Sequence, residues 1–334
     1  MNTQELLQKT IDTTTLAAGG LLGTEQYNRF VELVVDQSVM LKQARVVRMR
    51  SAVTELDRIS TAGRVSMLKS EGVAPESLAS ATFGKVTLTA TDIITPFELT
   101  FEALEDSIEG PSLEDTVIRV MARQTATDLE ELAICGDSTD SEGTGGFLTG
   151  LDGWRTLAEE GHLVDMQGAT LDRTALGTMF RRLPDRHKRA YGDLRFYCAP
   201  TTAQDWHDSF ADRATMAADQ AMMSGQVPPY MGVPVVSVPQ IPTDCAGVES
   251  MKNSGAADDL SYCFLTPREN LVFGIHRDIR IDRSRDVLRG VNIYAISSRI
   301  AVAFEDADAV VLAVNVGTTP AETEEVGGSG NGGG

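Results

Sequence analysis

The chain has 334 residues, enough for one large or two medium domains whose core needs no disulfide or metal staple. Acidic residues outnumber basic ones 48 to 29, and the formal charge of −19 repels nucleic acid phosphates and anionic lipid rather than binding them. Cys135, Cys198, Cys245 and Cys263 show no CxxC spacing, Met1-Asn2-Thr3-Gln4-Glu5 carries no basic or apolar leader, and no apolar run reaches the ~18 residues of a membrane span, so reduced thiols and a soluble chain not exported by a signal of its own are expected.

Residues 1–25 are rich in Thr and Gly and read as an arm. From Glu25 to Leu41, Tyr27, Phe30, Val31, Val34, Val35 and Leu41 recur at helical spacing and predict a short amphipathic helix. A long hairpin follows. Its first limb is expected from Ala44 to Ile59 and its return limb from Phe83 to Thr95, where Thr87, Thr89, Thr91 and Ile93 alternate with Val86, Leu88, Ala90 and Asp92. Between the limbs, Ser60 to Ala81 is rich in Gly, Ser, Ala and Glu. A loop of about twenty residues is uncommon inside a compact domain, so it is either mobile or ordered by something outside its own subunit.

The stretch from Phe97 to Trp154 reads as one construction. A strand ends at Thr100, and the acidic turn Phe101–Ser107 leads into a helix from Pro111 to about Cys135. Ser112-x-x-Asp115 is a variant of the capping box, and Gly136-Asp137 is the stop. Leu113, Val117, Val120, Met121, Leu129, Leu132 and Ala133 form the expected buried stripe. At ~1.5 Å per residue the rod is about 36 Å long, twice the ordinary helix length.

Residues 155–265 read as a separate α/β unit: a helix over Thr174–Lys188, a strand over Leu194–Cys198, a helix over Thr201–Ala211, and strands over Val233–Val238 and Tyr262–Leu265. Beyond Glu269 the chain is strongly β, with strands over Leu271–Arg283, Val291–Phe304 and Ala309–Val316. Strict alternation in the first puts Ile275, Arg277, Ile279, Ile281 and Arg283 on one face. His276, Asp278, Arg280 and Asp282 then share the other, a charged face suited to pairing with neighbouring strands or subunits. Gly317 to Gly334 is a Gly-rich tail with no fold of its own.

No catalytic constellation emerges. Ser66-Met67-Leu68-Lys69 matches the SxxK pattern of serine acylases. That mechanism needs a buried helix start and a Lys-Thr-Gly or Ser-Asp-Asn partner, and neither is expected here. His162, His187, His207 and His276 fall in four elements, and Asp137, Asp140 and Glu142 lack the order of a calcium loop, so no metal or other cofactor is expected. Gly143, Gly145 and Gly146 follow a helix rather than joining a strand to one, which excludes a nucleotide cradle. Arg181, Arg182, Arg186, Lys188, Arg189 and Arg195 form the most basic patch, readable as a solvated helix face, a contact to an acidic neighbouring subunit or, against the overall charge, a nucleic acid contact.

The order of these elements resembles the major capsid protein of tailed bacteriophages, the Hong Kong 97 fold, over about residues 25–316. Thr100-x-Glu102-x-Leu104-x-Asp106-Ser107 looks like the segment leading into that family's spine helix. Asp128 to Asp137 looks like the helix end, Phe147-Leu148-Thr149-Gly150-Leu151 like the loop beyond it, and Met231-Gly232-Val233-Pro234-Val235-Val236 like a strand of the axial domain. The resemblance implies an α+β fold: an N-terminal arm (1–45), an extended loop (46–96), the spine helix with the first part of the peripheral domain (97–154), an axial domain (155–265), peripheral strands (266–316) and a flexible tail (317–334). It implies pentamers and hexamers of the chain itself, closed around double-stranded DNA bound without sequence preference, in a virion assembled in the host cytoplasm. Portal and decoration proteins are further implied partners. Because only roughly fifty residues precede the hairpin, a separate scaffolding protein is expected, or none.

Assembly contacts are expected at Arg64, Lys69, Glu71, Lys85, Arg181, Arg182, Arg277, Asp278, Arg280, Asp282 and Arg283. The structural spine is expected at Pro111, Ser112, Asp115, Gly136 and Asp137. In some relatives a loop lysine is joined covalently to a peripheral asparagine. Lys69 or Lys85 with Asn292 or Asn315 could match, but nothing marks the glutamate that such chemistry needs, so non-covalent locking is expected. The alternative within the same fold is an encapsulin-type nanocompartment shell enclosing a protein cargo; outside it, a serine acylase using Ser66 and Lys69.

Overall fold

The computed structural model describes residues 38–61, 66, 81–106, 112–139, 146–189, 191–211, 227–243, 245 and 260–318. The expected arm and its amphipathic helix up to residue 37, Arg64, Lys69, Glu71, Pro111 and the tail beyond residue 318 lie outside them. Ser112, Asp115, Arg277, Asp278 and Arg280 are described as backbone only.

Three sheets organise the described residues. The first has the order β1 (Arg45–Arg48), β9 (Leu271–Asp286), β10 (Val291–Phe304), β4 (Thr91–Thr100). Within it β1 runs parallel to β9, and the other pairs are antiparallel. The second, mixed sheet has the order β5 (His162–Asp165), β11 (Val311–Gly317), β8 (Leu260–Pro267), β6 (Leu194–Cys198), β7 (Val235–Ser237). The third is the hairpin β2 (Val53–Thr61) with β3 (Ala81–Thr89). The described α-helices are α1 (Phe101–Asp106), α2 (Ser112–Cys135), α3 (Trp154–Ala158), α4 (Arg173–Arg182) and α5 (Pro200–Ala211).

Both hairpin limbs are shorter than the sequence reading. The first divides, because Met49 N–H donates to Ile275 O at 2.9 Å and keeps β1 in the four-stranded sheet, and only Val53 onward climbs the hairpin. The return limb divides at Ala90, whose N–H bonds Ala52 O at 2.8 Å. Beyond that point β4 pairs with β10 instead. Small residues stand at both joints, Ala52 and Ala90. The helix expected to reach Lys188 ends at Arg182, since Pro184 drives Leu183 to an extended ψ of 133°.

The spine helix α2 unites two sheets. Ala126, Leu129, Leu132 and Ala133 share one buried cluster with Phe273, Ile275, Ile300 and Val302 of the first sheet and Tyr262, Phe264 and Leu312 of the second. The opposite face of the second sheet, with Phe196, Cys198, Cys263, Leu265 and Ala313, packs on Leu176, Met179 and Phe180 of α4 and Trp206 of α5. A sheet covered on both sides explains why Tyr262–Leu265 of β8 reads as an apolar run rather than an alternation. A third cluster seats the hairpin: Leu88, with Leu56 and Val86 beside it, packs on Met49, Val272 and Ala301.

The expected stripe on α2 is correct at Leu129, Leu132 and Ala133 but not at Val120, which is exposed. Around the middle of the helix the buried positions are Ala122, Thr125 and Ala126. The charged alternation expected in β9 is broken too. Between Ile275 and Arg280 the register against β10 slips twice, adding two residues on the β9 side. Such bulges add residues to one strand without extending the pairing, and Ile275 and Ile281, opposite Ile300 and Ile296, share a face on either side of them.

Candidate assembly surfaces

The end of the spine helix is its most constrained point. Gly136 and Gly153 touch backbone to backbone: Gly153 N–H donates to Gly136 O at 2.8 Å, and Asp137 N–H to Leu148 O at 2.9 Å. Arg155, 2 % exposed, sits behind this joint and donates to Asp137 Oδ2 at 2.7 Å and Glu159 Oε1 at 3.2 Å. Burial alone would raise the Asp137 carboxyl. The hydroxyl and amide of Thr139 and the Arg155 guanidinium together hold it below the usual carboxylate range. Gly136 and Asp137 were expected here; Arg155, in a short helix 18 residues on, carries no local sign of its burial.

Midway along α2, Glu130 is buried and accepts from Met40 N–H at 2.7 Å, pinning the segment that leads into β1. Burial pushes its carboxyl up, while the amides of Met40, Leu41 and Val39 pull it down by less. A carboxyl whose folded pKa is raised contributes more stability as pH falls from neutral toward 4.5, its ordinary value. Glu130→Gln is therefore expected to flatten the stability profile across that window in urea titrations. Glu130→Ala, which strips the Met40 amide of its acceptor, is expected to cost about 1–3 kcal/mol.

Under the first half of α2, three side chains line up across the four-stranded sheet. Phe97 stacks on Tyr294 with ring centroids 5.0 Å apart, and Arg283 lies 5.6 Å over the Tyr294 ring. Arg283 then pairs with Glu114 of α2 at 3.1 Å. Burial, and after it the Glu114 carboxylate, push the Tyr294 hydroxyl up to about 12. Arg283, expected as an assembly contact, thus has a partner inside its own subunit.

A charge hub joins the hairpin to the body. Asp306 receives Arg58 of β2 at 2.5 Å and faces His187 at 3.6 Å and Arg186 at 4.0 Å; Arg186 also bonds Asp308. The basic patch of the sequence is partly neutralised in the same way. Lys188 pairs with Asp185, and Arg195 donates to the Gly192 and Leu194 carbonyls. Arg181 and Arg182 are exposed. Lys85 is exposed and pairs with Glu55 across the hairpin. Asn292 and Asn315 are buried, and Asn315 donates to Asp165 at 2.9 Å, so neither side chain stands at the surface where a lysine from another subunit could reach it. Ser66 is exposed and outside any helix or strand, unlike the buried helix start that acyl transfer needs. Among the described residues no group of three His, Cys, Asp or Glu could hold a metal ion, and no helix is long and apolar enough to cross a membrane.

One surface was missed entirely. The β9–β10 turn presents Val287, 74 % exposed, and Leu288, 99 % exposed. The turn is held rigidly: Asp286 Oδ1 accepts from Leu288 and Arg289 N–H at 3.0 and 3.2 Å, and Arg289 pairs with Glu98 at 3.0 Å. Gly290 supplies the positive φ of 67° that closes it. The signal was a Val-Leu pair between two strands, a place where turns are ordinarily polar.

A long helix bracing two sheets, with a hairpin rooted at one end, defines a Hong Kong 97-type capsid subunit. The chain belongs to the phage capsid family, whose profile matches residues 18–315. It is 30% identical over 319 residues to YqbE of Bacillus subtilis (strain 168), which bears the name of a prophage capsid protein; the match spans 95% of this chain and 99% of that one. Among solved structures, the satellite phage P4 procapsid including size determination (Sid) protein matches with a TM-score of 0.65 at 14% identity, covering 94% of this chain and 98% of its own. The SrpI encapsulin of Synechococcus elongatus PCC 7942 shares the fold with a TM-score of 0.51 at 10% identity, covering 84% and 87%.

Proposed function

We propose that this chain is the major capsid subunit of a tailed bacteriophage or prophage, assembling as pentamers and hexamers into an icosahedral shell around double-stranded DNA. The observation that carries this is the hairpin β2–β3. Its described contacts with the body run from Leu88 and its neighbours near the base to the Arg58–Asp306 pair, and the paired positions of each limb beyond Arg58 lead on to the segment that joins them. In the shell its outer part lies over an adjacent subunit. Residues 1–45 serve as the arm, 46–96 as the extended loop, 97–154 and 266–316 as the peripheral domain, and 155–265 as the axial domain around each capsomer centre. Lys85, Arg181 and Arg182, with Arg64, Lys69, Glu71, Arg277, Asp278, Arg280 and Asp282, contribute contacts whose charge pairs set partner choice and register more than strength. A separate scaffolding protein, a portal and decoration proteins complete the particle in the host cytoplasm. The charge of −19 suits a container, since a wall that gripped DNA would oppose its filling and release.

Nuclease treatment of particles purified from host cells tests the contents. Protected double-stranded DNA of uniform length is expected; particles that hold only a protein cargo would move the chain to the nanocompartment class. The rigid Val287–Leu288 tip gives a sharper prediction. Leu288→Asp is expected to leave monomer stability within about 0.5 kcal/mol of the parent, yet to lower the yield of closed shells at least tenfold in sedimentation assays.

A further inference from the structure

Two of the four cysteines face one another across neighbouring strands. Cys198 of β6 and Cys263 of β8 are register partners in an antiparallel pair. Their kind of pairing follows from the bonds that β6 makes on its other side. Phe196 N–H donates to Pro234 O at 3.0 Å, and Cys198 O accepts from Val238 N–H at 2.9 Å. Phe196 and Cys198 thus direct these backbone groups toward β7 and away from β8. Pro267, opposite Leu194 in the same phase, has no N–H to give. Cys198 and Cys263 are therefore a non-hydrogen-bonded pair, the closer kind, with Cα atoms about 4.5 Å apart. That lies within the ~4.4–6.8 Å that a disulfide spans. Both side chains belong to one buried cluster, where the Cys198 thiol donates to Val236 O at 3.9 Å and the Cys263 thiol to Phe264 O at 3.8 Å. Cys135 and Cys245 sit in the other cluster, where Cys135 contacts the Tyr262 hydroxyl at 3.2 Å.

We propose that Cys198 and Cys263 are a built-in redox pair that closes to a cross-strand disulfide when the subunit meets a disulfide oxidant such as glutathione disulfide. One cysteine thiolate attacks a glutathione sulfur, forming a mixed disulfide and releasing a glutathione thiolate. The second cysteine thiolate attacks the protein-side sulfur and expels the other glutathione thiolate. Two electrons pass from the protein dithiol to the oxidant, and the two thiol protons end on the released glutathiones. Both thiols are fully buried, out of reach of a dissolved oxidant, and burial pushes Cys263 well above its ordinary value, so the exchange waits until the sheet opens locally. β7, a three-residue edge strand beside β6, is the shortest barrier to that opening. The timing rests on the capsid reading: thiols in the reducing interior of a host cell, a staple in particles that have left it. The pairing itself does not.

The test uses the whole purified chain. It is incubated with glutathione disulfide at the foot of its urea transition, returned to buffer, then denatured and alkylated with N-ethylmaleimide. Two thiols should be lost, a peptide map should join Cys198 to Cys263, and the thermal midpoint should rise by several degrees until dithiothreitol reverses it. Four alkylated thiols, a lasting glutathione adduct or a map joining other cysteines would overturn the proposal. A Cys135→Ala/Cys245→Ala variant should oxidise like the parent; should it fail to fold, the parent's map still decides. Shell formation plays no part in the readout, so failed assembly and failed pairing are told apart.

Discussion

Gly136→Ala is expected to destabilise the subunit by about 3 kcal/mol or more, and to leave little protein able to assemble at growth temperature. A Cβ at this position would stand 2.7 Å from Leu132 O and closer still to Leu151 O. Both obstacles are backbone, fixed by the helix on one side and by the docked loop on the other, so neither can rotate away. Gly153 is equally confined, with Gly136 N at 2.7 Å and Ile134 O at 2.8 Å from its own would-be Cβ. The control is Gly192→Ala, where no atom lies within 4 Å, and a change within about 0.5 kcal/mol is expected. Thermal unfolding of the two variants checks the contrast. Equal midpoints would mean that the spine helix is not locked at this point.

Asp137→Asn is expected to cost about 3 kcal/mol, because it takes away the carboxylate that the buried Arg155 guanidinium bonds at 2.7 Å and leaves that charge less compensated. The amide keeps the volume but cannot return the charge. Replacing Arg155 as well, in Asp137→Asn/Arg155→Met, should recover much of the loss, since the stranded charge is the larger part of the cost. The acid limb tells the same story. A depressed folded pKa gives stability that is complete above 3.8, the ordinary aspartate value, and is lost as pH falls through the lower folded value. Asp137→Asn should therefore flatten stability below pH 3.8. Glu130→Gln acts on the other side of the carboxylate range.

The elements legible in the sequence were those whose pattern is local. Leu194–Cys198 and Val291–Phe304 fall where the periodicity placed them, and the spine helix ends at Cys135 as expected. The hairpin limbs were read as too long, because alternation continues through Ala52 and Ala90 while the pairing partner changes there. Periodicity reports a strand but not which strand lies beside it. The unbroken register assumed for β9 failed for a related reason, since a bulge leaves no mark in composition. Of the expected contacts, Arg283 and Lys85 already have partners within the subunit. The polar anchors that position the architecture were illegible because their partners are remote: Arg58 meets Asp306 across 248 residues and Glu130 meets Met40 across 90. Glu130 alone left a trace, as a charged residue in phase with the buried stripe of Ala126 and Ala133.

The most direct test of the capsid reading is cryo-electron microscopy of the purified chain, expressed alone and together with a scaffolding protein from the same genome. Closed icosahedral shells are expected, with pentamers at the vertices, hexamers between them, and the Val53–Thr89 hairpin lying over the neighbouring subunit. Small soluble oligomers under every assembly condition, with or without scaffold, would contradict it.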